Sequence, residues 1–199
     1  MGVGIRRAGV GDRERVVRLL DEAFMDDPVS GWVFPSEERR RERHSLLMGV
    51  FADATLAEGY VDLAEDGSAV ALWMDMSGVP EDEGGEDLPA QVRAAVDPDN
   101  ERVEQIARWT TRAHPVGRAH VYLWMIGVTP ARQGQGLGTA LMAPVFERCD
   151  REGLPAYLEA SSPRSRRLYE RLGFVVTGTP IELPGGPTMW PMWREPAGR

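Results

Sequence analysis

The sequence predicts an α/β fold with a mixed sheet, and three observations predict it. Segments with strand periodicity alternate with segments of helical periodicity along the whole chain. Tyr60–Ala64 and Ala69–Met76 read as two strands joined by the turn Glu65-Asp-Gly-Ser68, so part of the sheet is antiparallel. Val128-Thr-Pro-Ala-Arg-Gln-Gly-Gln-Gly-Leu-Gly138 reads as a strand end, a glycine-rich loop and a helix start.

The elements follow in order. Val3–Arg7 is a short strand, and Asp12 caps a helix with its apolar stripe at Val16, Leu19, Leu20, Ala23 and Phe24. Asp26-Asp-Pro28 ends that helix, which leaves Trp32-Val-Phe34 in a loop. Ser36 opens a second helix running to about Ala57, striped by Leu47, Val50, Phe51, Ala54 and Leu56. Pro80-Glu-Asp-Glu-Gly-Gly-Glu-Asp87 is acidic and glycine-rich, a loop signature. Its five carboxylates, with Asp26 and Asp27, suit the mouth of a site for a cationic ligand, as surface groups that attract it. Helical segments over Leu88–Val96 and Asn100–Ala113 follow, then a long central strand over Arg118–Val128. Thr139–Glu152 is a helix and Ala156–Ala160 a strand. Ser162-Pro163 starts another helix, because proline suits the first helical position. Phe174–Thr179 and Thr188–Arg194 are the last strands.

At 199 residues, 42% of them hydrophobic, one domain over 1–199 is expected. A net charge of −8 argues against nucleic acid as a partner and agrees with a cationic one. The one cysteine, Cys149, forms no internal disulfide, and no apolar run approaches the ~20 residues of a membrane span. The N-terminus lacks the apolar stretch of a secretion signal, so a cytoplasmic protein with no membrane partner is expected. A homodimer stays open, and no metal is expected.

Glycines 134, 136 and 138 let the backbone approach a ligand closely. Free amides and the positive helix end then face that ligand, which suits a pyrophosphate. All 23 basic residues are arginine, so the lysine of a nucleoside-triphosphate loop and any Schiff-base lysine are missing. A dinucleotide fold wants this loop after its first strand, whereas here it comes late.

About thirty residues on comes Leu168-Tyr-Glu-Arg-Leu-Gly-Phe174. With Gln133-x-x-Gly136-x-Gly138 after a strand, this resembles the GNAT superfamily of acetyl-CoA-dependent N-acetyltransferases. Ala23–Pro28, Ser68–Trp73, Pro155–Ser161 and Gly186–Arg194 resemble the actinobacterial branch that includes puromycin N-acetyltransferase. The resemblance implies a central mixed, mostly antiparallel sheet flanked by helices. It divides the chain into a substrate-side half, 1–117, and an acetyl-CoA-binding half, 118–199. It implies direct transfer to a small-molecule amine, an antibiotic or aminonucleoside among the acceptors.

The resemblance also assigns residues. Gln133, Gly134, Gln135, Gly136, Leu137, Gly138 and Thr139 hold the pyrophosphate. Ile126, Gly127 and Val128 face the pantetheine arm; a strand glycine such as Gly127 often marks a close approach. Ser162 and Ser165 stand where relatives carry asparagine toward the cofactor. Tyr169 protonates the leaving thiolate. Glu159, in Leu158-Glu-Ala160, is a candidate base, and a structural carboxylate held by Arg164 or a backbone amide is equally open. His120 should share one strand face with Tyr122 and Trp124 and is a second candidate base, although a solvent-facing strand end is the stronger expectation. Trp32 and Phe34 are offered as pocket walls; Trp124, Trp190 and Trp193 suit the core better.

Overall fold

The computed structural model describes residues 3–77 and 88–198, so the acidic stretch Glu81–Asp87 lies outside the described residues. The elements run β1 (Ile5–Arg7), α1 (Arg13–Phe24), α2 (Pro28–Val33), α3 (Glu37–Glu58), β2 (Tyr60–Ala64), β3 (Ala69–Met76), α4 (Leu88–Val96) and α5 (Glu101–Ala113). Then come β4 (His120–Val128), α6 (Leu137–Glu152), β5 (Ala156–Ala160), α7 (Pro163–Arg171), β6 (Val175–Val176), β7 (Ile181–Glu182) and β8 (Thr188–Arg194). The sheet order is β1-β2-β3-β4-β5-β8-β6, with β7 also on β8. Among the described residues only β4 and β5 pair in parallel. The mixed, mostly antiparallel sheet flanked by helices is as expected.

Each face of the sheet carries its own apolar layer. Val16, Leu19 and Leu20 of α1 and Leu47, Met48 and Ala52 of α3 pack on one face, joined by Trp32, Val33 and Phe34. Leu141, Met142, Val145 and Phe146 of α6 and Tyr169 of α7 pack on the other. Parallel neighbours need a crossover, and α6 supplies it between β4 and β5.

Two features of β4 shape the centre. Its ladder to β3 shifts register so that Leu72 faces Met125 and Trp73 faces Leu123, which leaves Trp124 as a bulge. Before the bulge, Val121 and Leu123 face α6; after it, Ile126 and Val128 do, while Trp124 and Met125 both turn toward α1 and α3. The ladder to β5 holds only at Val121–Ala156 and Tyr122–Tyr157. Beyond that point the two strands are not paired to each other.

The structure corrects several sequence boundaries. α6 starts at Leu137 rather than Thr139, because Gly136 at φ 81° ends the loop there. Pro28–Val33 is a short helix and not a loop, since Asp27 caps it by accepting from the Val29 amide at 2.8 Å. Trp32 and Phe34 are therefore largely buried, 6% and 1% exposed, and pack in the layer of α1 and α3. The strand expected over Phe174–Thr179 keeps only Val175–Val176, since Gly178 turns the chain at φ 64° and the short β7 follows. The first strand starts at Ile5 and the central one at His120. Among the described residues no helix is long and apolar enough to cross a membrane.

Candidate active site

Where β4 and β5 separate, Glu159 sits at the end of β5 on the face shared with Tyr157. Its carboxylate accepts from the Tyr122 hydroxyl at 2.8 Å and from the Tyr157 hydroxyl at 2.9 Å. Burial disfavours the charged form, and the two phenols only partly offset it, so the carboxyl is pushed up to about 7. The sequence offered Arg164 as a structural partner; that guanidinium instead donates to Gln133 at 3.2 Å.

A histidine pair backs the tyrosines. His114 caps the end of α5, its ring 4.8 Å from Tyr122 and 5.0 Å from Tyr157 between centroids. His120 Nδ1 lies 2.8 Å from the Arg118 carbonyl and therefore carries the hydrogen. His120 Nε2 is then an acceptor, and His114 Nε2, 3.1 Å away, donates to it. Burial lowers both imidazoles, His114 to about 4, so the pair is neutral at pH 7. His120 does share a strand face with Tyr122 and Trp124. It is 2% exposed, not at a solvated strand end, and its free lone pair is already occupied.

On the other side of the opening stands Tyr169, 6% exposed. The turn Leu172-Gly-Phe fixes it: Gly173 takes φ 91°, and the Phe174 amide returns to the Tyr169 carbonyl at 3.0 Å. Burial, and then the charge of Asp27, hold its phenol well above 10 and thus protonated. Asp27 is a residue that sequence reading placed at the surface. It is drawn inward, accepting from the Ser161 hydroxyl at 2.8 Å, and burial raises its carboxyl. Behind it His44 bridges Ser30, 3.0 Å away, and Asp21, 2.7 Å away, tying α1, α2 and α3 together.

The glycine loop joins β4 to α6, and Arg164 of α7 reaches its Gln133 at 3.2 Å. Gly134 and Gly136 take φ 77° and 81°, and a Cβ on either would project into open space. Gly136 caps α6, so the amides of Leu137, Gly138 and Thr139 fall in its first turn and lack intrahelical partners. Gln133 is braced by the Val128 carbonyl at 3.3 Å, and Gln135 by that of Ala131 at 3.2 Å. The loop is therefore open at its glycines, and the free amides of the α6 start suit an anion.

Three expected contacts look different in place. Gly127 is needed because α1 comes close: a Cβ there would stand 2.8 Å from that of Ala23. Gly138 has ordinary surroundings, 3.8 Å from Ile126. Ser162 and Ser165 cap α7 through each other, the Ser165 amide reaching the Ser162 hydroxyl at 3.1 Å. Ile126 and Val128 line the α6 side of β4. Sequence reading missed His114 and Tyr157 as site residues, placed Asp27 only as a surface charge at the mouth, and named Tyr122 only for its strand face. Alternation along β5 put Tyr157 beside Glu159, and that was the available signal.

A model of the acetyltransferase (GNAT) family matches residues 20–174. An uncharacterized N-acetyltransferase of Schizosaccharomyces pombe is 26% identical over 181 residues, 85% of this chain and 73% of that protein. A mycothiol acetyltransferase of Brachybacterium faecium is 38% identical over 64 residues, which are 31% of this chain but only 19% of that protein. The structure of a histone acetyltransferase HPA2 and related acetyltransferase from Corynebacterium glutamicum is similar at a TM-score of 0.74 and 25% identity, covering 100% of this chain and 99% of that one. That of PaiA N-acetyltransferase from Thermoplasma acidophilum in complex with coenzyme A has a TM-score of 0.57 at 13% identity, covering 98% and 99%, and shares the fold. The chain belongs to the acetyltransferase (GNAT) family and is an N-acetyltransferase.

Proposed function

We propose that the chain transfers the acetyl group of acetyl-CoA directly to the amine of a small molecule, with Glu159 as base. The observation that carries this is the Glu159 carboxyl, raised to about 7 and aimed by two phenols at the end of β5. A base of that strength is matched to neutral pH.

Acetyl-CoA fits the residues present and supplies the thioester. The amides of Leu137, Gly138 and Thr139 and the loop Gln133–Gly136 hold its pyrophosphate. Ile126, Gly127 and Val128 offer backbone groups at the unpaired edge of β4 to the pantetheine arm. Ser162 and Ser165 fix the α7 end. Glu159 accepts a proton from the amine, directly or across one water. Tyr169, kept protonated by burial, gives one to the leaving thiolate. Cys149 is fully buried, with its thiol raised to about 11, so no acyl-cysteine relay runs through it.

Asp27 supports a second assignment of the base, because it too is a carboxylate raised by burial and close to Tyr169. The resemblance of Ala23–Pro28, Ser68–Trp73, Pro155–Ser161 and Gly186–Arg194 to the branch that includes puromycin N-acetyltransferase supports an aminonucleoside or another antibiotic as acceptor, and the free cysteine suits a cytoplasmic enzyme. Release of free thiol from acetyl-CoA across a set of amines tests the function. Thiol release with formation of the acetylated amine is expected. Tight acetyl-CoA binding with no release for any amine would make the chain a cofactor sensor instead.

A further inference from the structure

A cleft of about 550 Å³ opens between α5 and the segment that leads through β7 to β8. Its walls include Trp109, Ala113, Pro180 and Pro191. Two contacts join it to the base. Pro191 is the cross-strand partner of Glu159, so the two side chains share a sheet face. The Ala113 carbonyl lies 3.3 Å from the Tyr157 hydroxyl, which holds Glu159 at 2.9 Å. The cleft thus abuts, through Pro191 and Ala113, the residues that border Glu159 on the face opposite α6. Glu159 itself keeps part of its surface accessible, whereas Leu158 and Ala160 on either side are buried.

The lining states what would fit. The volume lies within the usual range for a small ligand. An indole and two proline rings are rigid apolar surfaces that suit a flat ring better than a flexible chain. The lip carries one charge of each sign, Arg112 and Glu182, both exposed. That balanced lip attracts no second positive charge. On the acetyl-transfer reading above, we propose that this cleft is the acceptor pocket and takes a primary amine of single positive charge on a compact, ring-bearing apolar body. Of the two protons that the nitrogen loses, one passes to Glu159 and then to solvent. The other ends on the thiol as the carbon–sulfur bond breaks and the amide forms.

Thr179 lines the lip, is exposed, and has no part in the acetyl-transfer machinery described above. Thr179→Trp therefore narrows the cleft without entering the core, and Thr179→Ser is its control. The probes are 2-phenylethylamine and spermidine, read by thiol release. The parent protein should prefer phenylethylamine by about tenfold or more in kcat/KM. Thr179→Trp should raise the phenylethylamine KM by about tenfold and leave the acetyl-CoA KM unchanged, and Thr179→Ser should match the parent. An unchanged amine KM in Thr179→Trp overturns the pocket while leaving acetyl transfer intact. Preference for spermidine overturns the acceptor class. Acetyl-CoA binding without thiol release from either amine, but with release from another amine of the wider set, overturns the acceptor class; no release from any amine overturns the proposed function, and the pocket with it.

Discussion

At Glu159 two phenols donate to one carboxylate that burial has cut off from most of its water. Desolvation outweighs the two hydrogen bonds, and the carboxyl rises from 4.5 to about 7. The folded protein therefore binds this proton more tightly than the unfolded chain does. The carboxyl's contribution to stability is present below about 4.5 and is lost as pH rises toward 7. Glu159→Gln removes that loss, so its stability relative to the parent should climb between pH 4.5 and 7 by on the order of 3 kcal/mol and then level off. Denaturant melts at a series of pH values measure the difference, and a flat difference would mean an unshifted carboxyl. His114, lowered to about 4, titrates in both proteins and cancels in that comparison. Tyr169→Phe should leave acetyl-CoA affinity unchanged and lower kcat by about 100-fold, because only the proton donor is lost. Calorimetry and single-turnover rates separate the two effects; an unaltered rate returns Tyr169 to packing. Glu159 and Tyr169 were visible in the sequence through the motifs that surround them. Tyr157 was marked only by its alternation with Glu159 along β5, and His114 not at all, because no local pattern records that a helix cap and two strands meet at one carboxylate.

The loop and the first turn of α6 work as a unit, and both depend on backbone conformation. Gly136 at φ 81° sits where an L side chain costs about 1–2 kcal/mol, and its Cβ would enter open space, where the proposed pyrophosphate lies. Gly136→Val should keep the fold with that loss of stability and weaken acetyl-CoA binding by well over tenfold in calorimetry. Equal affinity would move the pyrophosphate elsewhere. Gly127 does a different task, letting α1 lie against β4. Gly127→Ala should lower stability by about 1–3 kcal/mol, and adding Ala23→Gly should recover part of it, since the two Cβ positions are 2.8 Å apart. A thermal melt unchanged by Gly127→Ala would show that α1 gives way freely. Sequence pattern located nearly every long element because apolar period and caps agreed there, as with Ser36, whose hydroxyl accepts from Arg39. The pattern failed at α2 and β7, six and two residues long, where tertiary contacts decide. The Trp32 indole donating to the Pro184 carbonyl at 3.0 Å is one such contact.

Over the whole molecule, the proposed chemistry gathers where β4 and β5 stop pairing. The late part of the chain brings the loop, Glu159 and Tyr169, and the early part brings Asp27 and His114. The cofactor side was legible because its motifs are contiguous. The acceptor side was not, because the cleft joins α5 to β7 and β8 across more than sixty residues. The proposed acceptor pocket takes walls from both sides of residue 117. The central claim is that Glu159 is the base of an acetyl transfer, and the pH dependence of kcat/KM for thiol release tests it most directly. In the parent protein kcat/KM should fall as pH drops through about 7, tenfold per unit below it. In Glu159→Gln that limb should vanish with a rate lower by about 100-fold or more, while Asp27→Asn keeps the limb. A limb that persists in Glu159→Gln and disappears in Asp27→Asn would contradict the account and give the role to Asp27.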